Sequence, residues 1–308
     1  MFVVCGEALM DVYVRDSTPT GLLLDARVGG SPFNVAVGLA RLARPVQFLA
    51  GLSQDVPGER LMQALRDEGV GTALVVRSTA PTTLSVVTVG HTGVPSYAFH
   101  GHGAADRLLD AAALPALPDE AQVLQFGSYT MVVEPVGPAL RALAARERTH
   151  RLVAYDPNVR LNVEPDLARW RTVVQEMAAL AHVVKVSDED LGLLYPDEAP
   201  AQVALRWLDA GARLVVVTRG ATGSEAWNRN GHATAQSLLV DVIDTVGAGD
   251  TFQAALLAWL AEHEALSAEA LDALDVPRMA ALLRFAARAA SITCSRRGAD
   301  MPRRTELD

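Results

Sequence analysis

Val183-Val-Lys-Val186 and Leu214-Val-Val-Val-Thr218, two short β-branched runs separated by the helix-like Ala201 to Ala210, set the architecture of this chain. Runs this short and apolar, alternating with longer segments of helical period, mark parallel strands buried on both faces by crossover helices. Working back toward the N terminus, the pattern repeats at Leu152 to Asp156 and Val123 to Phe126, with Pro135 to Arg146 presenting Val136, Leu140, Leu143 and Ala144 on one stripe. In Ala201 to Ala210 the expected core residues are Val203, Leu205 and Leu208. Phe2 to Gly6 and Pro32 to Ala43 read as a strand-to-helix passage, and Arg60 to Leu65 as a further helix. Val12 to Val28 and Thr82 to Phe99 break the alternation: short strand-like stretches lie between Gly, Pro and Thr turns. The expected fold is therefore α/β, a three-layer core with a mainly parallel sheet between helices. One domain is expected over 1–308, carrying a small β appendage at about 12–28 and 82–102; no repeat or linker argues for two.

Composition narrows the function. The chain has 308 residues and a formal charge of −9, from 27 basic and 36 acidic side chains, so no broad phosphate-binding surface for nucleic acid is expected. One residue, Lys185, is the sole lysine; it stands in His-Val-Val-Lys-Val-Ser, with no glycine near, which excludes a Walker A loop. Cys5 and Cys294 lack CxxC partners, so neither a disulfide framework nor a zinc ribbon is expected. The longest apolar run, Ala254 to Ala261, falls far short of the roughly 20 residues a membrane span requires. No signal peptide is read at the N terminus, and the expected compartment is the cytoplasm.

The stretch richest in chemistry is Asp244-Thr-Val-Gly-Ala-Gly-Asp250, running directly into Thr-Phe-Gln-Ala-Ala-Leu-Leu-Ala-Trp-Leu. The second part has helical composition, which puts the glycines on its N-terminal turn, where free N–H groups and the positive end of the dipole can hold an anion. Gly247 and Gly249 let the backbone approach a phosphate, and Asp250 brings a carboxylate to the same point. That pairing suits a general base which takes a hydroxyl proton while amides stabilise a transferring phosphoryl group. Taken alone, Gly-Ala-Gly-Asp reads equally as a glycine turn with Asp250 as a helix cap.

A second glycine pair, Gly29-Gly30-Ser31-Pro32-Phe33-Asn34, opens a second helix. In the same order and at the same distance, the two segments resemble the paired signatures of the ribokinase-like (PfkB) sugar kinase family. The resemblance extends through Gly6-Glu-Ala-Leu-Met-Asp11, Gly51-Leu-Ser-Gln-Asp55-Val-Pro-Gly58, Asp156-Pro-Asn-Val-Arg160, Thr218-Arg-Gly220-Ala-Thr-Gly223 and the closing Gly298-Ala-Asp-Met-Pro. It implies a ribokinase-like core that binds ATP, a β lid over a sugar, and phosphoryl transfer to a hydroxyl. On the matching positions, the resemblance makes Asp250 the base and the amides of Gly247, Ala248 and Gly249 the anion hole. Asp11, Gly29, Gly30, Asn34 and Arg160 would hold the sugar, and Thr218, Gly220 and Gly223 the nucleotide. The family's N-x-x-E motif is replaced by Ser187-Asp-Glu-Asp190. Ser187 would then stand at the nucleotide, and Asp190, with Glu189 one position away, would organise waters around Mg²⁺; a capped helix start facing solvent is the other reading. Asp244 resembles a residue that in some relatives helps hold a monovalent cation such as K⁺, and equally one that only fixes the turn.

Several tempting features carry less. His100 and His102 have no third ligand nearby, Gly101-His-Gly103 is an incomplete dinucleotide fingerprint, and no G-x-S-x-G or H-E-x-x-H is present. Lys185 reads as structural, or as a neighbour of the nucleotide at its strand's end. The combination of Gly-Gly-Ser-Pro-Phe-Asn, Tyr97-Ala-Phe-His, Asp-Pro-Asn-Val-Arg and Val-Lys-Val-Ser-Asp-Glu-Asp-Leu resembles bacterial fructokinases more than ribokinases or adenosine kinases. The expectation is an ATP-dependent fructokinase, with a 2-keto-3-deoxygluconate kinase or ribokinase as alternatives and a non-catalytic sugar- or nucleotide-binding protein as a reading of another class. A homodimer joined through the lid strands is also expected.

Overall fold

The computed structural model describes residues 1–89 and 95–308, and at Val89, Pro95, Ser96 and Tyr97 the backbone alone. Residues 90–94, within the expected 82–102 appendage, lie outside the described residues. A nine-stranded sheet forms the middle layer. Its parallel part consists of β1 (Phe2–Cys5), β4 (Val46–Ser53), β5 (Val75–Ser78), β8 (Val123–Gly127), β9 (Leu152–Asp156), β10 (Val183–Ser187) and β11 (Leu214–Thr218). The antiparallel strands β12 (Ser224–Asn228) and β13 (Gly231–Ala235) extend the β11 edge. The sheet order is β13-β12-β11-β10-β9-β8-β1-β4-β5, with Phe2 beside both Val46 and Val123.

Successive strand residues face opposite layers. Val4 joins a core shared with α1 (Ser31–Arg41), α2 (Val56–Asp67), α7 (Ala248–Glu262) and α9 (Val276–Cys294). Val3 and Cys5 join the other core, with α3 (Val136–Glu147), α4 (Leu167–Leu180), α5 (Asp188–Leu194) and α6 (Pro200–Ala210). Helix α7 is buried throughout Thr251–Leu260, which accounts for its nearly unbroken apolar composition. The expected stripe on α6 is corrected: Val203, Ala204 and Trp207 are buried, whereas Leu205 is 53% exposed. Positions 203 and 205 lie about 200° apart around a helix, so they cannot share a face, whereas 203 and 207 stack one turn apart.

A separate four-stranded sheet, ordered β3-β2-β6-β7, is built from β2 (Leu9–Thr18), β3 (Gly21–Gly29), β6 (Leu84–Val89) and β7 (Pro95–His100). It corresponds to the expected β appendage, with β2 and β3 beginning and ending slightly beyond 12–28. The strand order also fixes where a ligand can sit. From β1 the chain builds outward through β4 and β5 on one side and through β8, β9, β10 and β11 on the other. Connections that diverge from a central strand leave a crevice beyond the carboxyl ends of the strands.

Candidate active site

That crevice is occupied by a cleft of about 740 Å³ whose walls come from nine separate stretches of sequence. Glu7 lies just beyond β1, Ser128 beyond β8, Asn158 and Arg160 beyond β9, Lys185 in the middle and Ser187 at the end of β10, and Thr218 at the end of β11. Asp11 on β2, Ser85 on β6 and Phe99 on β7 close it from the small sheet.

Its chemical centre is the start of α7. Gly247, with φ 78°, occupies the N-cap position, and a Cβ there would meet Ala299 Cβ at 2.5 Å, so both backbone conformation and space demand glycine. Asp250 stands in the first turn and is held from α1: Ser31 Oγ donates to Oδ1 (2.6 Å) and Asn34 Nδ2 to Oδ2 (2.8 Å). Burial raises its carboxyl above the usual range, against those two hydrogen bonds and the charge of Lys185. Gly30 caps α1 with φ 105°, which aims Ser31 and Asn34 at Asp250. Gly29 lies flush against Asp11, where a Cβ would sit 2.4 Å from Oδ2.

Six carboxylates line the cleft, those of Glu7, Asp11, Asp188, Glu189, Asp190 and Asp250, against two cations, Arg160 and Lys185. Glu7 is 1% exposed, and burial pushes its carboxyl up to about 7; Thr130 Oγ1 donates to it at 3.2 Å. Burial also raises Asp11, opposed by Arg160. Asp190 is buried and pushed up to about 6, first by burial and then by the charge of Asp156. Val159 N donates to its Oδ1 (3.1 Å), and Ser187 Oγ accepts from its amide (3.0 Å), capping α5. The neighbouring Glu189 is exposed. Lys185 Nζ donates to Asp156 Oδ2 at 2.8 Å, and both side chains are nearly inaccessible. Burial works to lower the Lys185 ammonium, but the charge and hydrogen bond of Asp156 outweigh it and hold the group above its ordinary value.

The structure thus brings Asp11, Gly30, Asn34, Arg160, Ser187, Asp190, Thr218, Gly220, Gly247, Gly249 and Asp250 into one cleft wall. Gly223 lies behind it, ending the turn into β12 at φ 108°. Asp244 is also outside the wall: its Oδ1 accepts from Val246 N (3.1 Å) and its Oδ2 from Gly298 N (2.8 Å), tying the glycine turn to the C-terminal segment.

Residues 1–306 match the family model described as "pfkB family carbohydrate kinase". The chain belongs to this family. Among the carbohydrate kinases it resembles, a fructokinase of Rhizobium leguminosarum bv. trifolii is 36% identical over 275 residues, 89% of this chain and 84% of the relative. The crystal structure of a Xylella fastidiosa fructokinase with bound ATP superposes with a TM-score of 0.89 at 29% identity, covering 99% of this chain and 96% of that one. A fructokinase double mutant from Vibrio cholerae O395, in a fructose, ADP and potassium ion bound form, gives a TM-score of 0.84 at 25% identity, with 99% and 96% coverage.

For a carbohydrate kinase, the site holds more than its sequence motifs announce. Ser31, Glu7 and Asn158 line it, and Lys185 is a wall residue rather than only a strand residue. The signals were there in part: Ser31 and Glu7 stand inside the quoted glycine segments, but their partners, Asp250 and Thr130, are 219 and 123 residues away.

Proposed function

We propose that this carbohydrate kinase transfers the γ-phosphoryl group of ATP to a hydroxyl of fructose, with Asp250 as general base. The observation that carries the reading is the Asp250 carboxylate, half-buried in the first turn of α7 beside the Gly247–Gly249 amides and gripped by Ser31 and Asn34. In the proposed step the sugar hydroxyl gives its proton to Asp250 while its oxygen forms a bond to the γ-phosphorus and the bond to the β-bridging oxygen breaks, releasing ADP. The N–H groups of Gly247 and Gly249 would offset charge on the transferring group, whereas the Ala248 N–H, which the resemblance puts in the same hole, donates to Thr245 O at 3.2 Å. Asp11, Gly29, Gly30, Asn34 and Arg160 would hold the sugar, and Ser187, Thr218, Gly220 and the turn closed by Gly223 the nucleotide. The names and bound ligands of the similar fructokinases support fructose and ATP.

Among the described residues no cluster of three or more His, Cys, Asp or Glu side chains is arranged to hold a metal ion. A Mg²⁺ carried by the phosphates fits such a wall, since this ion keeps several waters and needs few protein ligands. Asp190, with one oxygen on the Val159 amide, would accept from those waters. When bound, Mg²⁺ would neutralise phosphate charge. A monovalent cation such as K⁺ would be held at the turn that Asp244 ties to Gly298.

The four-stranded sheet would act as a lid, because Asp11, Ser85 and Phe99 face the cleft from three of its strands. Its edge strand β3 exposes Leu22, Leu23 and Leu24 at 59, 54 and 56%, which supports a homodimer joined through the lids. One domain with this lid is the corresponding organisation. No described helix is long and apolar enough to cross a membrane; two unpaired cysteines and an ATP requirement support a cytoplasmic enzyme.

An ADP-release assay over fructose, ribose, 2-keto-3-deoxygluconate and nucleosides tests the substrate. Fructose should give the highest kcat/KM; turnover of another member without fructose would overturn the assignment.

A further inference from the structure

Resting on the kinase reading above, we propose that Lys185 is a phosphate-handling catalytic residue, its ammonium held by Asp156 beside the Gly247–Gly249 amides so that it contacts the transferring phosphoryl group and balances its charge. The placement is specific. Lys185 is 4% exposed and lines the cleft, and a Cβ built on Gly249 would lie 3.3 Å from its Nζ, so the ammonium reaches the first turn of α7. Its strongest charge partner is Asp156, followed by Asp250 and Asp190. The other cation of the cleft, Arg160, acts on Glu7 and Asp11 and shares Asp190 with Lys185, which leaves Lys185 as the cation coupled to the proposed base.

A purely structural ion pair explains the arrangement poorly. Asp156 Oδ1 is buried without a hydrogen-bond partner, and a buried pair that leaves a lone oxygen unsatisfied adds little stability over apolar side chains of the same size. One of the three ammonium donors goes to Asp156 Oδ2, so others remain for a ligand. A compact ammonium suits a phosphoryl group as a point charge. In a wall where carboxylates outnumber cations six to two, a tetra-anionic nucleotide also needs fixed positive charge close to the reacting end.

The test compares the full-length wild type with Lys185→Met and with the double variant Lys185→Met/Asp156→Asn, which removes both charges and leaves no unpaired carboxylate. Calorimetric titration with adenosine, ADP and ATP is read beside steady-state kinetics and thermal unfolding. For Lys185→Met, adenosine affinity should stay within about twofold while ATP binds at least about tenfold more weakly, the scale of one charge-assisted hydrogen bond. Its kcat should fall by roughly a hundredfold or more and the sugar KM should change little. The double variant should regain thermal stability but neither ATP affinity nor kcat. A double variant with ATP affinity and kcat within about threefold of wild type would make Lys185 a structural partner of Asp156 and overturn the proposal. If the single variant does not fold, the double variant decides. A wild type that turns over no sugar overturns the kinase reading instead, and the step in affinity from adenosine to ATP still decides Lys185.

Discussion

At the scale of single residues, the cleft trades stability for chemistry. Asp250 is raised by burial, so its ionised form is disfavoured in the folded protein and its destabilising effect appears as pH rises through the folded value. Asp250→Asn should therefore lower kcat by roughly 100- to 10,000-fold, keep ATP binding within about threefold, and raise the melting temperature at pH 8. A variant that loses activity and stability together would point to a structural role. Glu7 gives a cleaner test of sign. Its carboxyl moves from 4.5 unfolded to about 7 folded, so the stability it contributes is fully present below about 4.5 and lost as pH rises through about 7. Glu7→Gln should accordingly be more stable than wild type at pH 8, by on the order of 3 kcal/mol at about 1.4 kcal/mol per unit, and nearly equal to it at pH 4.5. Equal unfolding free energies at both pH values would show that the carboxyl is not held this way. Neither residue reveals its environment in sequence, because the groups that hold them, Thr130 for Glu7 and Ser31 and Asn34 for Asp250, are distant in the chain.

At the scale of elements, the first turns of α1 and α7 make the site, and they differ in how openly the sequence states them. Asp244 to Asp250 carries glycines, carboxylate and helix start within seven residues, so the proposed anion site is local. Substituting Gly247 by Ala strains a residue at φ 78° and drives a Cβ into Ala299. A loss of about 1–3 kcal/mol in urea unfolding is expected, with a fall in kcat larger than the change in sugar KM. Unchanged kcat in a destabilised variant would separate this turn from phosphoryl transfer. Helix α6 shows the opposite case: the local pattern suggested Leu205 in the core, and only the packing of Trp207 against Tyr195 and the sheet decides which face turns inward.

For the whole molecule, the exposed leucines of β3 make a prediction about assembly. Light scattering at micromolar concentration should give the mass of two chains, and Leu22→Asp/Leu24→Asp should reduce it to one. A wild-type chain that runs as a monomer would remove the lid-to-lid dimer. The two sheets also divide the labour of the cleft. The nine-stranded sheet supplies Lys185, Ser187 and Thr218 from its strands, while the small sheet contributes Asp11, Ser85 and Phe99.

The alternation of apolar runs and helical segments was enough for the α/β class, and the glycine turn for the start of α7, because both are written in residues close together in the chain. The single lysine was not legible in that way. Its neighbours His182, Val183, Val184 and Val186 describe a buried strand, and the absence of nearby glycine excluded a phosphate loop. Only the strand order, which sets β10 beside β9, carries Lys185 to Asp156, and only the packing of α7 across the sheet brings Gly249 and Asp250 to the same ammonium. Charge can be counted in a sequence, but which charges meet is decided by a hydrogen bond between residues 29 positions apart and the field of a carboxylate 65 positions on, and those exist only once the sheet and its helices have closed.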